Sequence, residues 1–389
     1  MKTKLSSTVI PLTRLGLGLV VFLAFVGCGA PPATPIAAEN TPTEIAPTET
    51  PIPNTPTPIP SPTEIPKVDA QGYHAMAYDI ESNKVILKPY LANYQRVLES
   101  SAWAFDLDEK AWQKRADGPP KGNGSLAYDA QSDRTILFIG IRGKPDFSGK
   151  PTGQTWAYDY NTDTWTNMEP EESPYNLLGQ RMVYDSESDR IILFGGLSAG
   201  DAGQFRYSYE TWAYDYDANT WTNMQPTGDI PEGEINSYPM SYDVEADRVL
   251  AWICKAPSAD EVEGCAMNTY DYNSNTWERR EMEPHPSISF FSDMVYDPGT
   301  GMNILYGGAS YNHGEGIDEF WGYDYDSNTW TELSSKNPPS ARGWHTMVYQ
   351  DQAGVIIMFG GGNSDNTFTD ETWVYDPATG EWSLIAGGQ

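Results

Sequence analysis

Residues 155–165 read TWAYDYNTDTW, and residues 211–221 read TWAYDYDANTW. In both segments an Asp ends an aromatic stretch, and a Trp follows six positions later. The same pair occurs six times in the chain, at Asp106/Trp112, Asp159/Trp165, Asp215/Trp221, Asp271/Trp277, Asp324/Trp330 and Asp376/Trp382. Successive Trp residues are roughly fifty positions apart, a period that predicts a solenoid, a propeller or an array rather than one conventional core.

A second pattern precedes each of these pairs. Residues 180–196, for example, read QRMVYDSESDRIILFGG, which is a short run ending in Tyr-Asp, a polar turn and an apolar run. The apolar run is typical of a strand buried on both faces. The aromatic segment and the segment that begins at the Trp are separated by turn-forming residues such as NTDT or DANT. Four antiparallel strands in each of six repeats predict an all-β, six-bladed propeller.

Glycine doublets close the second strand at Gly195-Gly196, Gly307-Gly308 and Gly360-Gly361. With the Tyr-Asp pair and the Trp six residues later, they resemble the kelch repeat over residues 73–386. The resemblance implies a kelch-type propeller with blades at about 73–116, 122–168, 180–224, 238–281, 291–334 and 344–386. The doublet is replaced by Pro89-Tyr90, Ile139-Gly140 and Ile253-Cys254 in the other three repeats. We expect those blades to be locally irregular.

Blades need large side chains on both faces, so we expect the repeat Trp residues to form the seams between neighbouring blades. The first repeat begins at its innermost strand and the last ends at its outermost strand. The ring should therefore close between two intact blades without a shared strand, unless part of residues 67–72 adds to the edge.

The N-terminal part has the features of an export signal. Lys2 and Lys4 precede an apolar run from Leu15 to Gly27, which is too short to span a bilayer and predicts a signal peptide over residues 1–27. The run ends Phe25-Val26-Gly27-Cys28, which resembles a bacterial lipobox except at Phe25 and implies a lipid-modified Cys28. Ordinary secretion with an incidental Cys is the alternative.

Residues 28–66 are rich in Pro and Thr and almost free of bulky side chains. We expect a disordered, extended stalk there, followed by the propeller at residues 67–389. These features predict an exported lipoprotein, anchored in a membrane and facing the periplasm or the outside of the cell.

The formal net charge is −30, which argues against nucleic acid as a partner because its binding needs a basic surface. Contact with the membrane is expected through the lipid anchor only. Of three cysteines, Cys254 and Cys265 lie across one predicted hairpin, and we expect them to form a disulfide in an oxidising compartment. Two buried thiols are the alternative.

Loops that join second to third strands, and links between blades, lie on one face of an up-and-down propeller. Here they are long and unequal, which favours a binding face. They supply the candidate ligand-binding residues Tyr94, Arg96, Arg142, Arg206, Tyr209, His313, Arg342 and Trp344, and His345 at the start of an innermost strand is a further candidate. Arginines and aromatic residues suit an anionic or polyhydroxylated ligand. The alternative is a set of scattered, solvated loop residues whose arginines balance nearby acids.

His74 and His345 begin the innermost strands of the blades that meet at closure, where they could face the same side of the channel mouth. No third or fourth ligand is evident, so we expect neither a metal nor another cofactor. The string Asp215-Tyr-Asp217-Ala-Asn219 lacks the Gly and Glu that a calcium-binding loop requires.

The sequence therefore predicts a cell-surface module that binds an extracellular glycan or protein through its loop-rich face, and it assigns no catalytic residue. A carbohydrate-active enzyme resembling kelch-type sialic acid epimerases, or a structural subunit of an envelope assembly, remains open. The copper site of galactose oxidase, whose central domain is a kelch propeller, has no matching Cys, Tyr and His set here.

Overall fold

A computed structural model of the chain describes residues 68–69, 72, 74–92, 96–97, 100–119, 122–140, 153–175, 177–199, 205–232, 238–258, 261–287, 290–309, 316–362 and 367–388. The signal peptide, the stalk and the lipid site at Cys28 lie outside these residues and stay predictions. Within the described ranges there is no helix with the length and apolar character needed to cross a bilayer.

The strands, numbered in chain order, are β1 (Ala75–Asp79), β2 (Lys84–Lys88), β3 (Leu91–Ala92), β4 (Arg96–Val97), β5 (Ser101–Asp106), β6 (Ala111–Asp117), β7 (Gly124–Asp129), β8 (Arg134–Ile139), β9 (Gln154–Asp159), β10 (Thr164–Asn167), β11 (Leu177–Leu178), β12 (Arg181–Asp185), β13 (Arg190–Phe194), β14 (Leu197–Ala199), β15 (Phe205–Tyr207), β16 (Thr211–Asp215), β17 (Thr220–Asn223), β18 (Thr227–Gly228), β19 (Met240–Asp243), β20 (Arg248–Ser258), β21 (Glu261–Asp271), β22 (Thr276–Arg280), β23 (Asp293–Asp297), β24 (Met302–Tyr306), β25 (Phe320–Asp324), β26 (Thr329–Glu332), β27 (Gly343–Gln350), β28 (Val355–Gly362), β29 (Thr372–Asp376) and β30 (Glu381–Ala386).

These strands form the six blades that the repeats predict, each with four antiparallel strands paired in chain order. The blades are β1-β2-β5-β6, β7-β8-β9-β10, β12-β13-β16-β17, β19-β20-β21-β22, β23-β24-β25-β26 and β27-β28-β29-β30. Strand β18 adds to blade four, parallel to β22, while β3 pairs with β4 outside the blades. The turn face carries the hairpin turns between first and second and between third and fourth strands. The loop face carries the remaining loops and the links between blades.

A Tyr-Asp pair ends the first strand of blades one to five and builds the hairpin turn that follows, while Gln350 replaces the Asp in blade six. In blade three, Asp185 accepts hydrogen bonds from the backbone N–H groups of Glu187 and Ser188, both at 3.1 Å. The hydroxyl of Tyr184 donates to Asp189 at 2.9 Å. Asp189 has φ of 56°, the left-handed conformation that Asp and Asn tolerate better than most residues. The repeated sequence therefore selects the turn locally.

The glycine doublets let the second strand approach the start of the first strand closely. Gly361 has φ of 78°, and a Cβ on it would lie 2.8 Å from the Cβ of His345 in the same blade. A Cβ on Gly307 would lie 2.9 Å from Cε1 of His345 in the next blade. Blade four lacks the doublet, and β20 shows the expected irregularity there, with its register against β21 shifting between Ile253 and Lys255.

The repeat Trp residues lie at the seams between blades, as predicted. Trp221 of blade three packs against Phe138 of blade two, with ring centroids 5.5 Å apart. Five of the six are buried, namely Trp112, Trp221, Trp277, Trp330 and Trp382. Trp165 is half-buried and packs on Tyr158 at 4.8 Å.

The ring closes between blades one and six, each of which keeps its own four strands among the described residues. The indole Nε1 of Trp112 in β6 donates to the hydroxyl of Thr372 in β29 at 2.9 Å. The Trp112 ring also packs on Phe359 of β28 at 5.0 Å. Val68 is buried in the same apolar cluster, together with Val355 and Ile357. A residue ahead of the first blade therefore helps to seal this seam.

Cys254 in β20 and Cys265 in β21 form a disulfide, which confirms the sequence prediction. Their Cα atoms are 3.9 Å apart, and both residues are buried in the cluster that joins blades four and five.

Candidate functional site

The loop face gathers segments from different blades into one structure. Strand β11 lies in the link between blades two and three, and β14 and β15 lie in the long loop of blade three. They pair as a separate three-stranded sheet, with Leu177 opposite Ser198 and Leu197 opposite Tyr207. Link and loop therefore lie on the same face, as the propeller topology predicts.

This small sheet borders a cleft of about 490 Å³, which we call the blade-three groove, lined by Tyr175, Leu177, Arg206, Tyr207, Ser208, Tyr209 and Glu210. Arg206 is exposed, and Tyr175 and Tyr209 are 37% and 40% exposed. Two of the residues predicted for ligand binding, Arg206 and Tyr209, thus share one cleft.

The groove combines aromatic surface with charged hydrogen-bonding groups. Tyr rings offer an apolar face and a polar edge, and a guanidinium offers five N–H donors in a fixed plane. Glu210 is fixed in the wall because its carboxylate accepts a hydrogen bond from Nε1 of Trp212 at 3.0 Å. Such a surface can stack on a flat or ring-shaped ligand while bonding its hydroxyl groups.

Four of the other candidates cannot be placed in this groove. Tyr94, Arg142 and His313 lie outside the described residues. Arg96 lies in β4, of which only the backbone is described. Ligand binding by these four residues therefore stays a prediction.

Arg342 has a structural environment rather than the exposed one expected for a ligand-binding residue. It is 1% exposed, and its guanidinium donates to the carbonyl of Gly360 at 3.1 Å and to the carboxylate of Glu371 at 2.6 Å. A further bond reaches the hydroxyl of Ser340 at 2.9 Å. Arg342 therefore ties the link between blades five and six to the body of blade six, and protein acceptors occupy its donors.

Trp344 and His345 are also buried, and Trp344, expected in a loop, belongs with His345 to β27. The Trp344 ring stacks on Phe291 with centroids 4.6 Å apart. Trp344 and Phe291 both have a left-handed backbone, with φ of 60° and 58° respectively, and this conformation is costly for large side chains. The pair lies at the loop-face end of the channel.

The innermost strands surround an axial chamber of about 410 Å³. One ring of its lining consists of Met76, Leu126, Met182, Met240, Met294 and Met347. A second ring consists of Tyr78, Tyr128, Tyr184, Tyr242, Tyr296 and Tyr349. At the turn face the rim includes Ile80 and Val244, both exposed. Sequence reasoning missed this chamber, although a Met or Leu two positions before each first-strand Tyr was a visible signal.

His74 and His345 lie near each other beside the axis, as the closure of the ring predicts, and both line one small cavity. Burial is the largest cause that lowers the pKa of each imidazole to about 3, so both rings are neutral at physiological pH. Among the described residues there is no group of three or more His, Cys, Asp or Glu side chains placed to hold a metal ion.

Residues 256–388 match the KLHDC2/KLHL20/DRC7 Kelch-repeats domain. With six described blades that carry the same signature, this match decides the fold type. The domain is a kelch-repeat propeller. The kelch propeller is also similar to multiple epidermal growth factor-like domains protein 8, with 30% identity to the Homo sapiens protein over 87 residues. The Mus musculus protein is 29% identical over the same length. Each alignment covers 22% of this chain and 3% of the relative, so the likeness concerns a segment of repeats.

Proposed function

We propose that this kelch propeller is a binding module that recognises an extracellular glycan through the blade-three groove. The observation that carries the proposal is the presence of Arg206, Tyr175 and Tyr209 in one exposed cleft of about 490 Å³. The strand pairing of β11, β14 and β15 supports the cleft, and a rigid site loses less entropy when a ligand binds.

The extracellular setting is supported by features elsewhere in the chain. The predicted signal peptide would direct export, a lipid on Cys28 would anchor the chain in a membrane, and the stalk would hold the propeller away from the membrane surface. The Cys254–Cys265 disulfide suits an oxidising compartment. A net charge of −30 favours solubility and self-repulsion at such a surface.

A screen of the full-length protein against glycans and soluble envelope polymers tests the proposal. We expect Arg206→Ala and Tyr209→Ala each to weaken binding of the selected glycan by about 10-fold, or about 1.4 kcal/mol. Arg279→Ala is the matched control, because Arg279 lies in β22 on the outer side of blade four. Unchanged affinity for the glycan in both groove variants would show that the glycan binds at another site. Turnover of the bound sugar would favour the enzyme alternative, and a screen in which no glycan binds would contradict the ligand class.

A further inference from the structure

A second cavity, of about 40 Å³, lies on the propeller axis at the loop-face end of the chamber. Its lining includes His74 of blade one, Gln180 and Arg181 of blade three, and His345 and Thr346 of blade six. Residues from opposite sides of the ring therefore meet at one point. A space of this size accommodates two or three groups as large as water.

The cavity contains an unusual number of buried polar atoms that lack partners. Both ring nitrogens of His74 and His345, Oε1 of Gln180 and Oγ1 of Thr346 have no hydrogen-bond partner among the described residues. All four residues are more than nine-tenths buried. Carbonyls of Phe359 and Tyr306 lie beside the two imidazoles and partly oppose the fall in pKa, but no hydrogen bond of ordinary geometry joins them. Buried polar groups in folded proteins are normally bonded to protein, water or an ion.

Arg181 brings a positive charge to this cavity. Its Nε donates to the carbonyl of Tyr238 at 2.9 Å. Burial raises the pKa of the Asp293 carboxyl and the charge of Arg181 partly opposes this rise, so the two side chains interact electrostatically, without an ion pair of Arg181 among the described residues. Asp293 lies across the axis, and its carboxylate accepts hydrogen bonds from the backbone N–H groups of Met294 at 3.1 Å and Met347 at 2.8 Å. The terminal nitrogens of Arg181 are therefore available to a small ligand.

The electrostatic environment favours an anion over a cation. Burial is the largest cause of the low pKa of His345, and the positive charges of Arg342 and Arg181 lower it further. A metal cation would meet the same repulsion. An anion would be attracted, and neutral imidazole N–H groups and a threonine hydroxyl can donate to it.

We propose that the axial cavity binds one small monovalent anion, of halide or formate size, between the Arg181 guanidinium and the side chains of His74, His345 and Thr346. A water beside the anion would bond to Gln180. Because these residues belong to blades one, three and six, the bound anion connects blade three to both sides of the closing seam. The site is independent of the blade-three groove.

Unfolding of the full-length protein by urea tests this site. Chloride is varied at constant ionic strength against gluconate, which is too large for the cavity. At ten times the dissociation constant, chloride should raise the ratio of folded to unfolded protein about 11-fold. Formate should act like chloride if size and charge are decisive, whereas a response to chloride alone would restrict the ligand to halides. Arg181→Met should abolish the response, and Arg279→Met, at an arginine of the outer strand β22, should leave it unchanged.

Two further measurements keep the test decisive if Arg181→Met does not fold. Thr346→Val should fold and bind chloride several-fold more weakly, because one donor is lost. Crystals soaked in bromide should show an anomalous peak beside the Arg181 guanidinium. Equal responses to chloride and gluconate in the wild type, or waters without an anomalous signal in the cavity, would overturn the proposal.

Discussion

Neighbouring blades meet at six seams, and the repeat Trp is hydrogen-bonded across three of them but not across the other three. Trp221 donates from Nε1 to Thr155 at 2.8 Å, Trp277 donates to Thr211 at 2.9 Å, and Trp112 donates to Thr372 at 2.9 Å. Each acceptor is the first or second residue of the aromatic third strand of the preceding blade, four residues before the repeat Asp.

At the other three seams the position of the Thr is occupied by Ala102, Met267 or Phe320. The corresponding indoles, Trp165, Trp330 and Trp382, have no hydrogen-bond partner for Nε1 among the described residues. Trp330 and Trp382 are nevertheless as buried as the bonded ones. The comparison indicates that ring packing is the general function of the repeat Trp, and that the hydrogen bond is an additional stabilising contact at some seams.

The largest expected effect on stability tests whether ring packing of the repeat Trp contributes more than its hydrogen bond. Trp221→Ala and Trp382→Ala should each reduce the free energy of unfolding by about 3 to 5 kcal/mol, because both remove a fully buried ring. Trp165→Ala should cost less, since that ring is half-buried. Denaturant titration measures all three. A loss below about 1 kcal/mol for Trp382→Ala, beside a large loss for Trp221→Ala, would show that the hydrogen bond decides instead.

The next effect concerns the seam between blades four and five, which lacks the Trp–Thr bond but contains the disulfide. Replacing both Cys254 and Cys265 by Ala should cost about 2 to 3 kcal/mol, because the bridge restricts the unfolded chain. Denaturant titration under non-reducing conditions measures the loss, and the wild type under reducing conditions is the control. Two freely alkylated thiols in the folded, exported protein would contradict the assignment of the bridge.

A smaller effect isolates the hydrogen bond itself. Thr155→Val preserves the shape of the side chain but leaves the buried Nε1 of Trp221 without an acceptor, so it should cost about 1 to 3 kcal/mol. Thr155→Ser should restore most of the stability, and this pair of variants separates the hydroxyl from the packing. Equal stabilities of the Val and Ser variants would show that the bond contributes nothing.

The smallest expected effect is a gain in the free energy of unfolding. Ala102→Thr places a hydroxyl at the seam where Trp165 lacks a partner, and the new bond should add about 0.5 to 1 kcal/mol. The same substitution in a Trp165→Phe background is the control, because phenylalanine has no N–H to donate. A gain of the same size in both backgrounds would assign it to packing rather than to the bond.

Local, repeated features of this protein could be predicted from the sequence. The Tyr-Asp turns, the glycine doublets and the Trp spacing each act within one blade or between adjacent ones, so several copies of each report the same geometry. The disulfide could be predicted for the same reason, because Cys254 and Cys265 lie across one hairpin.

Which of the candidate arginines is exposed was decided only by the tertiary structure. Arg206 and Arg342 both lie in segments of the loop face with similar composition, yet one is exposed and the other is buried against Gly360 and Glu371. Arg181 meets His74 and His345 only because the ring closes across more than a hundred residues of chain. Burial and charge at such points depend on contacts between distant segments, which have no periodic signature in the sequence.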